Sequence, residues 1–207
     1  MKQATGMALA LFLTTVLPAE DRMPPIAPDK MTDAQQKAAA EVTAPRGGEL
    51  PGWLVALSRS PQVMVRTKSL GDYVVREKKT LSPRLTELAI LLVARQWTQQ
   101  YLWTSHRPAA IRAGLKEDIV DAISEGRTPS SMSEEEQAIY DFCTALLNNH
   151  EVDDPTYARA VAKFGEEGVV DAQGLMGYYV LLAMAMNTGH TPLPDGVKQP
   201  LLQPLHR

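Results

Sequence analysis

The stretch SPRLTELAILLVARQWTQQYLWTSHRPAAIRAGL, residues 82–115, decides the fold. Ser82 is a helix-capping residue and Pro83 suits the first helical position, where its missing N–H is no loss. Leu85, Leu88, Leu91 and Leu92 then recur on one side at helical spacing. A second helix is expected from Tyr101 to Ala113, carrying Pro108 inside it and stopping at Gly114. The first helix holds Glu87 and the second holds His106, with Trp97, Tyr101 and Trp103 between them. A carboxylate and an imidazole meeting in an aromatic-walled cleft form a minimal acid/base apparatus.

Outward from this pair, the chain continues to read as helices. Thr32 with Gln35 and Ser133 with Glu136 have capping-box spacing, the first before an alanine run and the second before an Ile139, Phe142, Leu146 stripe. A short helix is expected over 117–125, stopped by Gly126, and Asp154-Pro155 opens another closed by Gly165. The last long helix, about Val169 to Met186, is apolar nearly all round, which asks for a central position or burial against another subunit. Gly47 to Trp53 reads as a loop carrying an exposed Trp53 into a helix that Ser60-Pro61 interrupts. No hairpin dipeptide or period-2 run is present, so the expected fold is all-α, a helical bundle.

The N-terminal residues 1–19 place Lys2 ahead of an apolar run from Met7 to Leu17, too short to span a bilayer. They read as a signal peptide with a poor small-residue cleavage site near Ala19, the alternative being an apolar arm that stays attached. Export to the periplasm or medium follows if the leader is cleaved, and a cytoplasmic location otherwise. Residues 20–45 form a Pro-rich, charged leader with one short helix, and 46–207 the helical domain.

Composition narrows the function. The 207 residues are 44% hydrophobic with a formal net charge of −3 and no basic stripe, which argues against nucleic acid as a partner. Cys143 is the only cysteine, so an intrachain disulfide, a multi-thiolate metal site and a two-thiol redox centre are all excluded. No His/Asp/Glu set has metal-ligand spacing and no Gly-rich phosphate loop follows a strand. The expected chemistry is cofactor-free, on a small molecule.

Glu87, Tyr101, Trp103 and His106, together with ProArgGlyGly at 45–48, LeuProGlyTrp at 50–53, SerArgSerPro at 58–61 and LeuSerProArgLeuThrGluLeuAla at 81–89, resemble the carboxymuconolactone decarboxylase family, which includes alkylhydroperoxidase-D-like proteins. AspPheCys at 141–143, GlyTyrTyr at 177–179 with LeuLeuAlaMet and Asn187 after it, and ProLeuPro at 192–194 extend the resemblance over roughly Ala44 to Asp195. The resemblance implies an obligate homotrimer or homohexamer of helical subunits with sites near subunit contacts. Redox members carry Cys-x-x-Cys just before the histidine; Gln99 and Leu102 occupy those positions here. Peroxide reduction by that route needs a thiolate and a resolving thiol, and both are missing. Many thiol-free relatives have glutamate where this chain has Leu102.

The implied activity is that of a lyase: decarboxylation of 4-carboxymuconolactone or a similar lactone or enolisable acid. His106 is the candidate general acid, oriented by Glu87, and Arg95 or Arg84 the candidate partner of a substrate carboxylate. Tyr101, Trp103, Trp53 and His190 are candidate substrate contacts. Each has a plainer reading: His106 as a packed structural histidine, Glu87 as half of an ion-pair face with Arg95, the aromatics as core. Two other functions compete, an alkylhydroperoxidase-like antioxidant and a non-catalytic oligomeric binding protein.

Overall fold

The computed structural model describes residues 20–44, 47–77, 80–194, 196–197 and 202–203; the 1–19 leader lies outside them. Eight α-helices are present among these residues, with no strand: α1 (Asp33–Thr43), the single turn α2 (Gly52–Val55), α3 (Pro61–Asp72), α4 (Pro83–Gln96), α5 (Gln100–Arg112), α6 (Glu117–Ser124), α7 (Glu134–Asn149) and α8 (Asp154–Gly189). A short π-helical turn, Tyr73–Glu77, prolongs α3.

Side-chain caps fix the helix starts. Both capping boxes form, Thr32 with Gln35 and Ser133 with Glu136. Ser82 Oγ accepts from the Leu85 N–H at 3.4 Å, and Asp153 Oδ1 from the Thr156 N–H at 2.7 Å. Pro108 withholds one N–H from the ladder without ending α5. Pro61 starts α3 rather than interrupting a helix, because a first-turn proline blocks no ladder bond. Trp53 stands in the α2 turn, half-buried and packed on the core, not on an exposed loop.

The central helix is α4. Leu88, Ala89, Ile90, Leu91, Leu92, Val93 and Ala94 are all buried, most of them wholly. Seven apolar residues in a row close two turns of helix with no polar side. Consequently α4 is covered by α5, α6, α7 and α8. The C-terminal half of α8, expected to be central, buries Leu175, Tyr178, Tyr179, Leu182 and Met186 but leaves Val170, Gly177 and Met184 exposed. Gly165 breaks α8 as expected, with φ 70° and ψ 170°, a conformation essentially confined to glycine. The helix resumes at once beyond it. By length and mean hydropathy α8 would suit a membrane crossing, but 56% of its apolar window is buried within the fold, as in the core helix of a bundle.

Candidate functional site

The α4–α5 turn brings Glu87 and His106 together. His106 Nδ1 lies 2.8 Å from Glu87 Oε2, and the two side chains are 20% and 18% exposed. The sequence separation of 19 residues is bridged because α4 and α5 pack against each other across a tight connection. Gln99 builds that connection. Its buried side chain accepts from the Tyr101 N–H at 2.6 Å and the Leu102 N–H at 3.2 Å, capping α5, and donates to Asn187 Oδ1 of α8 at 3.0 Å. Asn187 in turn donates to the Trp97 carbonyl at 3.0 Å. With Nδ1 held by the carboxylate, Nε2 is the ring nitrogen left to address a ligand.

His106 faces a cavity of about 220 Å³, below the roughly 300–1,000 Å³ usual for drug-sized ligands. A compact guest is therefore indicated. Leu102 of α5, Trp53 of α2, and Tyr178, Tyr179 and Leu182 of α8 form its apolar wall. Tyr179 meets the His106 ring edge-on with centroids 5.1 Å apart, and Tyr178 stacks edge-on against Tyr179 at 4.9 Å. Burial raises both tyrosine hydroxyl pKa values; for Tyr178 the negative charge of Asp72 adds to it, and for Tyr179 Tyr178 and Glu87 do. Both phenols therefore stay protonated across the physiological range, able to donate a hydrogen bond but not to act as base.

The polar rim comes from α3 and the π-turn. Lys68, Asp72 and Arg76 follow one another at i, i+4 spacing; Lys68 pairs with Asp72, and Arg76 Nη1 lies 3.3 Å from Asp72 Oδ1. Two cations against one anion favour an anionic guest at the mouth. The π-turn, a feature often found at functional sites, carries Val75 and Arg76 into the lining.

The remaining sequence candidates fall elsewhere. Arg84 donates to Glu136 Oε1 at 2.9 Å and ties α4 to α7. Arg95 is buried, donating to the Ser124 carbonyl and to Thr98 Oγ1, and forms no pair with Glu87. Its place on α4, beyond the buried Leu91, turns it toward α6. Trp103 is 1% exposed and belongs to the core. Tyr101 stands behind the cavity wall: its hydroxyl takes the Trp53 backbone N–H, and burial raises its pKa while that bond lowers it. His190 caps α8 in a left-handed conformation and is outside the cavity lining. Of the eight candidates, Glu87, His106 and Trp53 share the site, with Tyr101 supporting Trp53.

Sequence reasoning passed over Lys68, Gly71, Asp72, Arg76, Tyr178 and Tyr179. The Lys-x₃-Asp-x₃-Arg spacing marks one helix face, and GlyTyrTyr was legible as a motif, but neither pointed to His106. Cys143 is wholly buried and its thiol is pushed up to about 12 by burial, as an inert core residue should be. Among the described residues no cluster of His, Cys, Asp or Glu could hold a metal ion.

No protein-family model matches the chain, and no curated protein matches it. Solved structures do. An alkylhydroperoxidase AhpD core, an uncharacterized peroxidase-related protein from Ralstonia eutropha JMP134, superposes with a TM-score of 0.68 at 16% identity, covering 84% of this chain and 92% of that one. The debrominase Bmp8, as a cysteine-to-alanine variant in complex with 2,3,4-tribromopyrrole, superposes with a TM-score of 0.62 at 15% identity, covering 84% of this chain and 91% of that one. At such identities the shared property is the fold: an all-helical bundle of the AhpD-like type.

Proposed function

We propose that the chain is a cofactor-free lyase that decarboxylates a small lactone-like or enolisable acid, 4-carboxymuconolactone or a close analogue. The observation that carries this reading is the 2.8 Å contact between Glu87 and His106 at the wall of a compact, aromatic-lined cavity. In such a reaction the carbon–carboxylate bond breaks and its electron pair passes into the adjoining unsaturated carbonyl. Carbon dioxide leaves, and a proton must reach the new carbanion. His106, as imidazolium, gives that proton from Nε2 while Glu87 holds Nδ1 and compensates the ring's charge, an acid contribution worth roughly 10²–10⁴-fold in rate. Tyr178 and Tyr179 donate to the developing enolate oxygen. The substrate's anionic end rests at the Lys68–Asp72–Arg76 rim, which takes over the role expected of Arg95 or Arg84.

Two competitors are weaker. The AhpD-type peroxidase route has no support from the thiols, since Gln99 and Leu102 stand where its cysteines would be and Cys143 is buried. A binding protein without chemistry would not need a carboxylate to fix the imidazole. The deciding experiment screens lactones and β-keto acids for carbon dioxide release. Wild-type turnover with loss in His106→Ala at unchanged circular dichroism is expected; equal turnover in that variant discards the assignment.

Self-association into a homotrimer or homohexamer is part of the same proposal. Val170, Gly177 and Met184 line up along α8 as an uncharged, solvent-facing stripe in the single subunit, with the half-buried Leu181 beside them. Met184→Lys should lower the mass seen by light scattering. Export is tested by the mass of the mature N-terminus.

A further inference from the structure

Apart from the His106 cavity, the ends of α4 and α6 and one face of α7 line a second, smaller hollow of about 140 Å³. Arg95, 5% exposed, is in its lining together with Gln96, Arg127, Asn148 and the half-buried Tyr140. Its lining contains two guanidinium groups and no carboxylate; Glu125, outside the lining, pairs with Arg127 and leaves Arg95 without an anion.

Arg95 is under-supplied with partners. A guanidinium has five N–H donors and does not deprotonate in proteins. Only two contacts serve it: Nη1 donates to the Ser124 carbonyl at 2.9 Å and Nη2 to Thr98 Oγ1 at 3.0 Å. Both acceptors are neutral. Its Nε is buried with no hydrogen-bond partner, the one such side-chain atom among the described residues. Ser124 ends α6, so the carbonyl end of that helix offers roughly half an elementary charge in compensation, leaving the rest unmet. Glu125 does not supply it, because it engages the exposed Arg127 at 2.5 Å. A buried charge so poorly matched is a standing electrostatic cost that an anion would relieve.

We propose that this hollow is a binding site for a small oxyanion, a phosphate or a carboxylate, held between Arg95 and Arg127 with Tyr140 and Asn148 as hydrogen-bond partners. The volume is that of about four or five waters at ~30 Å³ each, room for a single oxyanion group. The site is separate from the His106 cavity and shares no lining residue with it. It does not depend on the reaction proposed there.

The probe is inorganic phosphate, titrated at constant ionic strength against sodium chloride and followed by thermal unfolding and isothermal calorimetry. A saturable rise in Tm with one ion per subunit is expected, since a ligand of the folded state alone stabilises it by mass action. Arg127→Ala, at an exposed position, should keep the phosphate-free Tm and weaken phosphate binding at least tenfold. Arg76→Ala, at the mouth of the other cavity, should leave it unchanged. Acetate in place of phosphate identifies the preferred guest; saturable binding of either that depends on Arg127 supports the site. The proposal is overturned if neither ion acts beyond the chloride control. It is equally overturned if the response survives Arg127→Ala, whatever Arg76→Ala does.

Discussion

Replacing Gly71 by alanine puts a methyl group where the Tyr178 ring already stands. A Cβ built on Gly71 lies 2.5 Å from Tyr178 Cζ and 2.6 Å from both Cε2 and Oη. Carbon pairs rest at roughly 3.5–4.0 Å, so the ring must retreat by about 1 Å or the helices must part. Tyr178 is 6% exposed and stacked on Tyr179, and the free space open to it is the His106 cavity that Gly71 and Tyr178 both line. Overpacking of this kind costs about 1–3 kcal/mol, offset by about 1 kcal/mol because alanine is the better helix former. The net loss expected from urea unfolding is thus about 0–2 kcal/mol. Turnover should fall much further than stability, because the displaced ring fills a cavity of only about 220 Å³. A double-mutant cycle isolates the contact: with Tyr178→Ala already in place, Gly71→Ala should stabilise the fold. If Gly71→Ala is instead as stable and active as wild type, or if the cycle shows no coupling, α3 and α8 do not approach as described and the cavity wall is misassigned.

Arg84→Ala should destabilise the fold by about 1–3 kcal/mol, because it strands the buried Glu136 carboxylate of α7, and should leave His106-dependent turnover intact; chemical denaturation and a rate assay read the two effects. Gln99→Ala removes the α5 cap and the tie to Asn187, with an expected loss of about 1–3 kcal/mol in the same denaturation assay and reduced turnover from a displaced His106. Cys143 should resist thiol reagents at pH 8–9 in the folded protein and react fully once unfolded. Its pKa is raised from an unfolded value near ~8.5, so the stability linked to the buried neutral thiol is present below that pH and lost as pH climbs toward about 12.

The helices were readable because their signals are local. Ser82-Pro83, Ser133 with Glu136 and Asp154-Pro155 act within one turn, and each marks a helix start as its residue types dictate, although the side chain that caps α8 is that of Asp153. Gly165 was readable for the same reason. Which helix lies at the centre was less so: the apolar run of α8 is longer than that of α4, yet α4 is the one covered on every side. An apolar face tells that something must cover it, not whether the cover is the same chain.

The site divides along the same line. Glu87 and His106 belong to consecutive helices, so their meeting follows from one tight connection. Lys68 and Arg76 reach the cavity only through the packing of α3 on α8, a long-range fact with no local signature. Arg95 shows the converse. Its position two turns after Glu87 suggested a shared face, but the buried side of α4 points it to the carbonyl end of α6.

The central claim is that Glu87 fixes the His106 tautomer and leaves Nε2 to the cavity. Long-range proton–nitrogen NMR on histidine-labelled protein tests it without any substrate. Of the four histidines, His106 is assigned by its disappearance in His106→Asn. The account predicts that the ring, once it has lost its Nε2 proton, keeps the other on Nδ1 beside Glu87, and that this tautomer reverts toward the Nε2–H form in Glu87→Ala. A His106 signal already in the Nε2–H form, indifferent to the loss of Glu87, would contradict it.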